Sequence, residues 1–131
     1  MLLFLNNLVN GEINLAIIDK GKIFQEKFLS RRSDDLLPVL TIFCKKYNKK
    51  ISATSGLIVV NGPGSFSRIR TAMTFALFFN SLFNVKTVAI KMGKKDNIVS
   101  LIEKGTKALQ AKTFKPSCGL KPFYGQKPHI T

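Results

Sequence analysis

The sequence feature that most restricts the fold is a strand–helix–strand unit between residues 57 and 90. Residues 57–60 form a continuous apolar run, which is typical of a strand buried on both faces. A segment with two glycines and a proline ends this run, and a helix is then predicted over 65–83 and a second strand over 86–90. Because a connection of this kind is a right-handed crossover, the two strands are expected to be parallel.

Three strands are predicted before this unit. They cover residues 2–5, 12–18 and 23–28, and polar links that contain glycine separate them. Links of this type between β-prone segments are typical of hairpins, so the three strands should form an antiparallel meander.

Two more helices are predicted, one on each side of the crossover unit. Ser33 precedes Asp34 and Asp35, which places a capping hydroxyl and two carboxylates at the positive end of a helix. Apolar residues continue from there at helical spacing as far as Tyr47. The other helix is predicted over 98–109, where the periodicity is weaker.

The resulting element order is β-β-β-α-β-α-β-α, followed by a tail rich in proline and glycine. This order predicts an α/β fold with a mixed five-stranded sheet and flanking helices, as in a single ribonuclease-H-like lobe of the actin-like ATPase superfamily. We expect this lobe to cover residues 1–92, and a short helix with an extended C-terminal tail to cover residues 93–131.

The chain is strongly basic. Its 21 Lys and Arg residues oppose 7 Asp and Glu residues, and residues 1–35 contribute nothing to the formal charge of +14 because their charges cancel. A field of this size favours polyanions such as nucleic acid. Two interpretations stay open: a general basic nucleic-acid-binding domain that binds tRNA, and a lysine-rich surface that is only solvated.

The sequence offers little for catalysis or for a membrane. His129 is the only histidine, and Cys44 and Cys118 lack metal-ligand spacing and are typical of reduced cytosolic thiols. The apolar start of the chain lacks the basic region of a signal peptide, and the stretch 71–85 is shorter than the ~20 residues of a membrane span. We therefore expect a cytoplasmic protein with no catalytic residue, no metal, no cofactor and no membrane partner.

The turn over residues 61–66 has the sequence Asn-Gly-Pro-Gly-Ser-Phe. Such a turn leaves backbone N–H groups free at the positive end of the helix dipole, where an anion can bind. The phosphate-loop pattern is not met, because no Lys-Ser or Lys-Thr pair follows Gly64. The alternative is that glycine and proline shape a tight turn and that Ser65 caps the helix.

The helix predicted over 65–83 carries apolar residues at almost every angle around its axis. In a chain this short only one helix face can cover the sheet, so the remainder should form an exposed apolar patch of the kind that marks an interface. The alternative is a deeper core beneath the tail. The predicted partner-binding residues are Leu36, Leu40, Phe43, Ser65, Phe66, Ile69, Met73, Phe75, Ala76, Phe78, Phe79 and Leu82.

The segment over residues 62–70, G-P-G-S-F-S-R-I-R, resembles the signature G-P-G-S-F-T-G-[LV]-R of the TsaB family, formerly called YeaZ. Arg68 stands where the family has glycine. Residues 33–38 and 120–131 are similar to the S-E-E-L-L-P and the C-terminal P-L-Y-x-x-x-P-x-I-T segments of the family. The residues that match the motif turn are Gly62, Pro63, Gly64, Ser65, Phe66 and Arg70.

This resemblance implies a noncatalytic scaffold subunit that binds the enzyme TsaD and supports threonylcarbamoyl transfer to the adenosine adjacent to the anticodon in tRNA. In the family, the helices after the third strand and after G-P-G-S-F dock against TsaD. The implied partners are a TsaD-like subunit, with a TsaE-like ATPase and tRNA reached through the complex, and a homodimer is implied when the partner is absent. Only residues 91–114 lie between lobe and tail, so the chain resembles a reduced TsaB that lacks most of the second subdomain.

Overall fold

The computed structural model describes residues 1–8, 11–29 and 36–110. The predicted helix cap at Ser33 and the C-terminal segment with the family likeness and His129 lie outside the described residues. The described elements are β1 (Leu2–Asn6), β2 (Glu12–Asp19), β3 (Lys22–Leu29), α1 (Leu36–Lys46), a short 3-10 helix (Ile51–Ala53), β4 (Gly56–Val60), α2 (Phe66–Phe83), β5 (Lys86–Ile90) and α3 (Ile98–Leu109).

The five strands form one mixed sheet in the order β3-β2-β1-β4-β5. Strands β1, β2 and β3 pair antiparallel, so the predicted meander is confirmed. Strand β4 pairs parallel with β1 on one side and with β5 on the other, which confirms the predicted crossover. The 3-10 helix before β4 is an element that the sequence pattern did not predict.

The helices cover both faces of the interior strand β4, whose five residues are all buried. Helix α3 packs on the face that carries Ile58, and Gly105 lies so close to the Ile58 side chain that a Cβ atom would have no room. Leu57 and Val59 point to the opposite face because side chains alternate along a strand. Helix α2 packs on that face of β4, and α1 packs beside it on β2 and β3.

The core is continuous across these layers. Phe4, Phe43 and Phe79 are its largest fully buried side chains, and they come from β1, α1 and α2 respectively. Leu101 and Ile102 of α3 belong to the same cluster, so α3 shares the core of the predicted lobe. Among the described residues, no helix has both the length and the apolar character to cross a lipid bilayer.

Candidate partner-binding surface

The turn that starts α2 is fixed between the ends of β4 and β5. The Asn61 N–H donates to the Ile90 carbonyl at 2.9 Å, and the Met92 N–H donates to the Gly62 carbonyl at 2.8 Å. Gly62 has a φ of 139°, a conformation that side chains with a Cβ rarely adopt. The glycine of the motif is therefore required by the backbone path, and the turn has one defined position relative to the sheet.

Close packing and a helix cap complete this turn. A Cβ at Gly64 would lie 3.2 Å from the Cβ of Leu8, so the absence of a side chain lets the turn pack on the segment after β1. Ser65 is the N-cap of α2, and its hydroxyl accepts a hydrogen bond from the Arg68 N–H at 3.4 Å. The capping role predicted for Ser65 is confirmed by this hydrogen bond.

Arg68, which departs from the family pattern, ties the first turn of α2 to the residues after β1. Its Nη1 donates to the Asn7 carbonyl at 2.8 Å, and the Asn7 Nδ2 donates to the Arg68 carbonyl at 3.3 Å. Asn7 is buried and Arg68 is half-buried, so this pair of hydrogen bonds satisfies two backbone carbonyls in a partly buried contact. The sequence carries no local signal for this role, because the two residues lie far apart in the chain.

Helix α2 presents three kinds of surface. The residues buried against the sheet are Ile69, Ala72, Met73, Ala76 and Phe79. The large apolar residues that are exposed are Phe66, Leu77, Phe78, Leu82 and Phe83. A narrow strip opposite the sheet is polar and consists of Ser67, Arg70, Thr74 and Ser81. The helix is thus not apolar at almost every angle, and the polar strip separates two exposed apolar flanks.

One flank of α2 forms a groove with the start of α1. The groove has a volume of about 400 Å³ and is lined by Leu36, Leu37, Arg70, Thr71, Thr74, Phe75 and Phe78. We call it the α1–α2 groove. Leu37 is 46% exposed and Phe78 is 52% exposed, and Leu82 continues the same flank with 61% exposure. Phe75 is half buried, and its ring packs against Phe79 at a centroid distance of 5.8 Å.

Seven of the twelve predicted partner-binding residues belong to the core of the monomer. They are Leu36, Leu40, Phe43, Ile69, Met73, Ala76 and Phe79. Their helix faces point at the sheet, so a partner cannot reach them in this conformation, apart from the edge of Leu36 that lines the groove. A charged substitution at Phe79, which is 1% exposed, would therefore disturb folding and not report on binding.

The other five predicted residues lie at or near the surface. Phe75, Phe78 and Leu82 follow the groove flank of α2, and Ser65 and Phe66 lie at the start of the helix. The structure brings Leu37 and the motif residue Arg70 to the same groove, although neither was among the predicted contacts. Leu37 follows directly after Leu36 on the helix, so its side chain points away from the core face and toward α2. This position in the sequence could have identified Leu37 as a groove residue.

This sheet order, with α1 and α2 on one face and α3 on the other, defines a ribonuclease-H-like α/β lobe. The structure is similar to that of YeaZ from Pseudomonas aeruginosa, with a TM-score of 0.63 and 19% sequence identity over 69% of this chain. It is also similar to a structure described as an uncharacterized protein with similarity to peptidase YeaZ from Pseudomonas aeruginosa, with a TM-score of 0.62 and 20% identity over 69% of this chain.

The likeness establishes the fold, and it extends over part of each solved structure. The matched region covers 44% of the first solved chain and 42% of the second, so this chain spans less than half of their length. No family model matches the sequence, and no curated protein matches it at a significant level.

Proposed function

We propose that this protein is a noncatalytic subunit that binds a TsaD-like enzyme and supports threonylcarbamoyl transfer to tRNA in the cytoplasm. Two observations support the proposal. The fold is similar to that of YeaZ, and the segment that resembles the TsaB motif forms the Gly62–Ser65 turn between a strand and a helix, which is the context of the motif in that family. The α1–α2 groove is the proposed docking surface.

The observation that carries the proposal is the exposed apolar flank beside the groove. Leu37, Phe78 and Leu82 are all exposed by 46% or more. Full burial of an exposed side chain of this kind is worth about 1.5–3 kcal/mol, and each of these half-buried side chains has about half of that left to contribute to a complex. Arg70 and Thr74 border this flank, which gives the arrangement of apolar centre and polar rim that is typical of a protein interface.

The noncatalytic part of the proposal is supported by the state of the chemically reactive side chains. Cys44 is buried in α1, and its desolvation raises the pKa of its thiol, which keeps the thiol in its unreactive form. Asp19 and Asp96 are each held by a lysine, Lys49 and Lys104, at 2.6 Å. Each of these two carboxylates therefore has a structural partner.

Co-expression with the TsaD-like subunit of the same genome tests the proposal. Phe78→Glu places a charge in the groove and should abolish co-purification, because an unpaired charge is costly to bury. Ile42→Glu is the matched control, since Ile42 is 62% exposed on α1 and does not line the groove. The wild-type complex should persist in high salt, because apolar contacts are screened far less than charge pairs.

The same variants test the homodimer that forms without the partner. We expect a dimer through the α1–α2 groove in wild type and in Ile42→Glu, and a monomer in Phe78→Glu, measured by light scattering after size exclusion. Co-purification that survives Phe78→Glu, or that is lost equally in Ile42→Glu, would contradict the docking surface.

A further inference from the structure

Lysines from two separate segments meet at one end of the molecule. The β2–β3 turn lies there beside the end of α1 and the turn that follows it. We call this surface the lysine patch, and its members are Lys20, Lys22, Lys45, Lys46, Lys49 and Lys50. The chain pattern alone separates these residues into two short groups, and only the fold combines them.

Ion pairs and aromatic packing hold the two segments together. Lys49 Nζ lies 2.6 Å from Asp19 Oδ2, and Lys46 Nζ lies 2.5 Å from Glu26 Oε1. The Tyr47 ring packs on the Phe24 ring with a centroid distance of 5.0 Å. These contacts fix the backbone of the patch. The other lysines of the patch, Lys20, Lys22, Lys45 and Lys50, take no part in them.

The two carboxylates next to the patch are already neutralised by these ion pairs. Asp19 and Glu26 are already paired, which leaves Lys20, Lys22, Lys45 and Lys50 without an ion pair to any described residue. All four side chains are exposed. Six lysines and two carboxylates give the patch a net charge of +4, so it attracts anions of extended shape.

The patch carries few of the apolar side chains that a membrane or a protein partner would need. Two exposed large apolar residues lie near it in sequence. Ile23 points to the sheet face opposite α1, because Phe24 on the same strand faces α1. Ile42 lies one helical turn before Lys45 and Lys46 on α1 and is a single apolar side chain beside the lysines. Membrane surfaces bind amphipathic segments through buried apolar area, and protein interfaces depend on apolar anchors. Surfaces that bind a phosphate backbone are polar and positively charged.

We propose that the lysine patch binds the phosphate backbone of nucleic acid. Lysine contacts to phosphate carry no sequence information, so the binding is independent of sequence and is driven by counterion release. The inference does not rest on the proposed docking at the α1–α2 groove, since the patch lies at the end of α1 and the groove lies at its start.

The test is the affinity of the full chain for bulk tRNA, measured by fluorescence anisotropy as a function of salt. The patch variant combines Lys22→Gln, Lys45→Gln and Lys50→Gln, which leaves both ion pairs intact. Lys20 is retained because its φ is 50°, where a substitution could alter the turn. The matched control combines Lys27→Gln, Lys94→Gln and Lys95→Gln, which removes the same charge elsewhere on the surface.

The patch variant should lose at least about tenfold in affinity for tRNA at ~0.1 M salt. Its slope of log affinity against log salt concentration should be smaller by about two, because each lost phosphate contact lowers this slope by about 0.7–0.9. The control should keep the wild-type slope. An equal loss in both variants would show that only total charge matters and would overturn the proposal. Binding to phosphatidylserine vesicles or to polyglutamate, without binding to tRNA, would overturn it as well.

Discussion

Asp96, in the turn before α3, accepts three hydrogen bonds. They come from Lys104 Nζ at 2.6 Å, from the Gly93 N–H at 2.7 Å and from the Ser100 hydroxyl at 3.0 Å. The hydrogen bond from Lys104, followed by that from Gly93, holds the pKa of the Asp96 carboxyl below its usual value. The charged form is therefore favoured in the folded state, and it joins the turn to the first two turns of α3.

A pH dependence of stability follows from Asp96. Because its folded pKa is lowered, its contribution is present above the unfolded pKa of about 4 and is lost as the pH falls through the folded value. We expect the melting temperature of wild type to fall more steeply between about pH 5 and pH 3 than that of Asp96→Asn. Asp19 contributes in both proteins, so only the difference reports on Asp96. Parallel curves would contradict this assignment.

At the scale of the element, the sequence predicts where the helices and strands lie better than which residues they bury. The bounds of β5 and α3 agree with the predicted ranges because the apolar residues of each element are separated by a polar segment, which is a local signal. The burial of Phe79 beside the exposed Phe78 depends on how α2 is rotated on the sheet, which a helix with apolar residues on several faces does not reveal. Arg68 was missed for a related reason, since its partner Asn7 is brought near only by the parallel pairing of β1 and β4.

The orientation of α2 is tested by two alanine substitutions. Phe79 is fully buried and its ring lies 4.8 Å from that of Phe83, so Phe79→Ala should leave a cavity. The expected loss in the free energy of unfolding is about 3–5 kcal/mol for Phe79→Ala. Phe78→Ala should cost less than about 1 kcal/mol in the monomer, because its side chain is half exposed. Urea denaturation at a concentration where the protein is monomeric measures both, and equal losses would place the helix in a different rotation.

At the scale of the whole molecule, the question is whether α3 folds with the lobe or beside it. The predicted boundary at residue 92 separates them, whereas Gly105 packs directly on Ile58 in the interior strand β4. A helix that fills one face of β4 should unfold together with the sheet, since β4 would otherwise expose that face to water. The charge distribution and the two proposed surfaces then belong to one cooperative unit.

Gly105→Val tests this cooperativity in the full chain. The added side chain overlaps Ile58, and overpacking of this kind costs about 1–3 kcal/mol. If the molecule is one unit, amide hydrogen exchange of the slowest groups should accelerate by the same factor in α3 and in the pair β1–β2, because both exchange through global unfolding. Leu101→Ala, a cavity at the same helix–sheet contact, should act in the same direction. Acceleration confined to α3, with β1–β2 unchanged, would mean that residues 1–92 fold independently and that the helix docks on a lobe already complete.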